Sequence, residues 1–128
     1  MLTPCEVAVK TVSPAIRALL AQTLREKHEL KETQIAQILG ITQSAVSKYS
    51  KGVRGSTISV GSIPEVQSII NQMASLLIIK PLQAAQQIEV MRLFCEACTL
   101  MRQKGLMCVL CQQNQKPKVD GCNFCSLQ

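Results

Sequence analysis

Apolar residues return every three or four positions through most of this chain, the spacing of helices that bury one face. Ile16, Leu19, Leu20 and Leu24 form one such stripe, and Val66, Ile69, Ile70, Met73, Leu76 and Leu77 form a longer one. No stretch alternates apolar and polar residues for long enough to read as a strand. The expected fold class is therefore all-α.

Stop and start signals divide the pattern. Thr3-Pro4-Cys5-Glu6 reads as a helix start, with Thr3 as cap, Pro4 in the first turn and Glu6 completing a capping box. Ser13-Pro14 repeats the cap-then-proline signal, and charged residues close that helix around Glu26 to Glu29. Thr33 is expected to cap a short helix whose Ile35, Ala36 and Leu39 face inward, with Gly40 ending it in a left-handed turn. Thr42 caps the next, turning Ala45, Val46 and Tyr49 inward and leaving Gln43, Ser44, Ser47 and Lys48 outside. Residues 50–62 are Gly- and Ser-rich and read as a linker or wing-like loop. Pro64 opens a helix that Pro81 breaks, and a long helix runs from about Leu82 to Lys104, ended by Gly105. Residues 112–128 read as polar and irregular apart from their cysteines. The expected division is a helix-turn-helix domain at 1–55, a linker at 56–63, and a helical dimerisation and cysteine-rich region at 64–128.

Two short helices joined by so tight a Gly-containing turn make a helix-turn-helix. Gln34-Ile35-Ala36, Leu39-Gly40-Ile41 and Thr42-Gln43-Ser44-Ala45-Val46-Ser47 resemble the corresponding segment of the lambda repressor and Cro family. The whole chain looks like a small archaeal transcription regulator of that class with a cysteine-rich C-terminal half. The resemblance implies that the helix beginning at Thr42 enters the major groove of double-stranded DNA, with Gln43, Ser44, Ser47 and Lys48 facing the bases. The side chains suit that role: Gln can bond an adenine edge twice, Ser a base or phosphate, and Lys a guanine or phosphate. Gln34 is placed to hold a backbone phosphate. Lys48, Lys51 and Arg54 are the charged residues between 43 and 56, with no acid among them. The formal net charge of +6 agrees with an anionic partner.

The seven cysteines add a second theme. Six fall into three Cys-x-x-Cys pairs, Cys95/Cys98, Cys108/Cys111 and Cys122/Cys125, and Cys5 stands apart as an expected buried small side chain. The first pair lies on a predicted helix face, and a tetrathiolate site closes readily on such spacings. All six are candidate ligands, and spacing alone leaves open which four would serve. An iron–sulfur cluster, preferably 4Fe–4S, is favoured over zinc because the thiols outnumber one zinc site and aliphatic residues surround them. A thiol–disulfide switch among surplus pairs is a third possibility.

No secretory signal is expected, since Pro4, Lys10, Pro14 and Arg17 interrupt the first apolar run. The most apolar later run is too short to span a bilayer. A cytoplasmic location follows, where paired cysteines favour metal or redox roles. With one His, no phosphate-binding glycine loop and no nucleophile-base constellation, an enzyme is not expected, and a thiol–disulfide oxidoreductase is the weaker alternative. The leading expectation is a homodimeric, DNA-binding transcription regulator whose cysteine cluster senses redox state, oxygen or iron, with no small-molecule substrate and no membrane partner. A regulator carrying a structural zinc is the alternative.

Overall fold

In a computed structural model, which describes residues 2–51, 63–115 and 120–127, Thr3 and Glu6 cap one another across the first turn of α1 (Pro4–Lys10). The Glu6 N–H donates to Thr3 Oγ1 at 3.3 Å and the Thr3 N–H to Glu6 Oε2 at 2.6 Å. The Thr3 N–H, and after it the Thr3 hydroxyl donating to the same Oε2 at 3.1 Å, hold the Glu6 carboxyl below the usual carboxylate range. The cap is therefore complete above ordinary carboxylate pKa values and lost as pH falls through the lowered one.

Thr11 separates α1 from α2 (Val12–His28), so the second helix starts before the expected Ser13 cap. Pro14 sits at the third helical position, where an N–H has no intrahelical acceptor to lose. The Thr11 hydroxyl donates instead to the Val7 carbonyl at 2.8 Å. Val12, Ala15, Ile16, Leu20, Ala21 and Leu24 are buried, and α2 packs against the other long helices and both short helices that follow it. Glu29 takes a left-handed φ of 54°, which returns the Leu30 N–H to the Leu24 carbonyl and closes the helix.

α3 (Glu32–Leu39) and α4 (Gln43–Ser50) follow, three residues apart. Thr33 does not cap α3. Gln34 reaches back to accept the Lys31 N–H at 2.9 Å, which sets the helix start two residues earlier and leaves Thr33 exposed inside it. Gly40 has φ 65°, and the Ile41 N–H reaches the Ala36 carbonyl at 3.0 Å. A Cβ on Gly40 would meet nothing within 4 Å. Gly40→Ala is therefore expected to cost only backbone strain, about 1 kcal/mol, read as a lower urea midpoint. An unchanged midpoint would contradict the left-handed turn.

α5 (Pro64–Leu77) starts on Pro64, with Ile63 as cap residue, and α6 (Ala84–Gln103) ends where Gly105 turns at φ 75°. α7 (Cys108–Asn114) and a 3₁₀ turn at Cys125–Leu127 replace part of the expected irregular tail. Among the described residues all regular structure is helical. No helix among them is long and apolar enough to cross a membrane.

The apolar stripe of α5, in the region expected to dimerise, is covered within this chain. Val66, Ile69, Ile70, Met73, Ala74 and Leu77 are buried within this chain, with α5 packed between α2 and α6. One hydrophobic cluster joins Val7, Ile16, Val46, Ile70, Leu93 and Met107. The core is thus shared across the expected linker, whose residues 56–62 lie outside the described ones. Arg17 adds a tie from α2 to α6, its guanidinium 5.4 Å from the Phe94 ring centre.

Candidate functional site

Two groups of side chains stand out, and different helices build them. On α4, Ala45 and Val46 are buried where the helix seats on α2, which turns the opposite side outward. Gln43, Ser44 and Lys48 are exposed there, and Ser47 is half-buried. Thr42 is exposed, but its hydroxyl is occupied in capping, accepting the Ala45 N–H at 3.0 Å. Gln34, also exposed, has its carbonyl oxygen committed to Lys31. Lys51 is exposed just past the end of α4, and among the described residues neither it nor Lys48 enters an ion pair. Arg54 lies outside the described residues. The face is therefore amide, hydroxyl and ammonium, with no acid in the first turn of α4 to repel an anion.

The second group lies at the other end of the chain. Cys108 and Cys111, one turn apart on α7, line a single cavity of about 90 Å³ together with Cys122 and Cys125. That is several times the ~10–15 Å³ needed for one water. Partial burial pushes the Cys108 thiol up, and the neighbouring Cys125, Cys111 and Cys122 thiols push the same way. Cys95 is exposed on α6 and does not line this cavity. Cys98 is half-buried; burial raises its pKa against the opposing pull of Arg102. All seven cysteines are free thiols. Among the described residues no three His, Cys, Asp or Glu side chains meet closely enough to share one ion. The four thiols line the cavity rather than converging within it.

Two residues that sequence reasoning passed over belong to this region. Arg102 also lines the cavity, is 7% exposed, and has its Nε and Nη2 buried without an acceptor among the described residues. Burial works against its charge, and the neighbouring sulfurs of Cys125, Cys5 and Cys98 more than offset that, raising its pKa. Its signal in the sequence was slight: it stands four residues after Cys98, on the same helix face. Gln115 is buried at the end of α7, where its amide nitrogen donates to the Leu2 carbonyl and approaches Cys111 Sγ at 3.8 Å. That contact helps bring the N-terminus to the thiols. Cys5, expected to be buried and apart, is instead exposed and lies near Cys98 and Arg102.

Thiols are soft donors that suit zinc or iron–sulfur clusters, and a ligating thiol gives up its proton. A permanently charged guanidinium with unsatisfied buried donors is complementary to such thiolates. The donor set therefore fits a thiolate-bound centre in chemistry, though the sulfurs stand farther apart than one ion requires. No family model, curated protein or solved structure matches the chain.

Proposed function

We propose that the protein is a DNA-binding transcription regulator whose α3–turn–α4 unit is a helix-turn-helix. In this reading α4 enters the major groove, Gln43, Ser44, Ser47 and Lys48 meet base edges or phosphates, and Lys51 and Arg54 hold the backbone. The observation that carries it is the division of α4: Ala45 and Val46 buried on α2, Gln43, Ser44 and Lys48 turned to solvent. A helix seated in this way presents its polar side as a rigid unit. The Thr42 cap and the Gly40 turn fix where it begins.

The regulator acts as a homodimer that spaces two reading helices over a two-fold operator about 34 Å apart. Since the α5 stripe is used inside the chain, the second copy docks on an apolar pair one turn apart on α6, Ile88 and Met91, which are 65% and 66% exposed. The thiol cavity holds an iron–sulfur cluster, and its loss on oxidation alters DNA binding. A zinc held by the same thiols is the alternative, and it gives no colour where a cluster absorbs in the visible.

The test is selection from random duplexes by protein purified without air, followed by titration against salt. Enrichment of a two-fold sequence, with affinity falling as salt rises, supports the reading. Absence of both enrichment and salt-dependent binding would sink it.

A further inference from the structure

We infer that Cys108, Cys111, Cys122 and Cys125 are the ligands of one metal centre, that Arg102 is its counter-cation, and that Cys95 stands outside it. This rests on the proposed thiolate-bound centre and names which thiols hold it.

Topology makes the selection. α7 sets Cys108 and Cys111 one turn apart, and the closing 3₁₀ turn brings Cys125 and the adjacent Cys122 to the same cavity. The pair on α6 does not line that cavity: Cys95 points to solvent, and Cys98 meets only its wall, beside Arg102 and near Cys5. Spacing had allowed Cys95/Cys98 with Cys108/Cys111, and the fold puts the second and third pairs together.

Charge makes the case for Arg102. Four thiolates around a divalent ion or a 4Fe–4S core sum to a doubly negative centre, each thiol releasing its proton to solvent as it binds. Such a centre is costly to desolvate unless positive charge and N–H donors face it. Arg102 supplies both from the cavity wall, where its Nε and Nη2 have no other acceptor among the described residues. Among the described residues no acidic side chain lines that cavity to serve it instead.

The experiment uses the exposure of the thiols themselves. Cys95, Cys108 and Cys122 are all exposed. Full-length protein is prepared metal-free, loaded with zinc, and loaded with ferrous iron and sulfide, then pulsed with iodoacetamide. Mass spectrometry reads alkylation at each cysteine. Cys95 is expected to label equally in all three forms, whereas Cys108 and Cys122 label in the metal-free form and are protected about tenfold or more by at least one metal. Protection of Cys95 alongside them, or no protection of Cys108 and Cys122 in protein that carries metal, overturns the ligand set. Protein that takes up neither zinc nor iron overturns the underlying reading as well, and metal analysis distinguishes the two failures. Arg102→Met is expected to release zinc to a chelator about tenfold faster, within the range for partners of metal ligands, with Arg102→Lys restoring part of the loss. An unchanged rate in Arg102→Met removes Arg102 from the proposal.

Discussion

Gln43→Ala is expected to weaken binding to the selected duplex by about 1–3 kcal/mol, roughly 5- to 150-fold, and to leave binding to unrelated DNA nearly unchanged. Gln43 is the first residue of α4 and is exposed, so the substitution removes a hydrogen-bonding amide without opening the core. Lys48→Ala makes the contrasting case. An ammonium on a phosphate carries no sequence information, so its loss should weaken all duplexes alike and reduce the salt slope by about one. Anisotropy titrations of both variants on selected and scrambled duplexes, at several salt concentrations, separate the two roles. If both variants bind like the wild type on every duplex, α4 is not the reading helix. If Gln43→Ala instead loses affinity uniformly, its amide contacts phosphate and sequence is read elsewhere.

Ile70→Ala is expected to cost about 2–5 kcal/mol, a large share of the roughly 5–15 kcal/mol that holds a domain of this size together. Ile70 is fully buried on α5, which packs between α2 and α6. Truncation leaves a cavity that three packed helices cannot easily close. Urea unfolding should show a much lower midpoint with a similar slope, and the loss should not depend on protein concentration. A loss that shrinks as concentration rises would put the α5 stripe between two copies instead. A cost below about 1 kcal/mol would mean the site collapses freely and the core is looser than the burial implies.

The helix starts and stops were largely legible because each depends on residues within a few positions. The capping box of Thr3 and Glu6, the Thr42 cap, the turn at Gly40 and the start at Pro64 all follow from local hydrogen bonding and backbone conformation. The local errors were also short in range. Thr33 looked like a cap, but Gln34 bonds the Lys31 N–H and moves the start two residues earlier. Ser13-Pro14 mimicked a start, but proline is tolerated throughout the first turn, so it marks the beginning of a helix only loosely.

By itself, then, the sequence determined that the chain is helical, where α1, α4 and α5 begin, and that six cysteines come in pairs. Periodicity shows that α5 has an apolar face but not what covers it. Only the packing of α2 and α6 assigned that face to the chain's own core. The same limit applied to the thiols. Cys5, the Cys98–Arg102 turn of α6 and Cys125 are far apart in sequence, and no spacing rule links the first helix to the last turn. Tertiary structure brought them together because α1 packs on α7 and the closing turn packs on α6. It thereby decided that the second and third cysteine pairs share a cavity with a buried arginine while Cys95 remains in solvent.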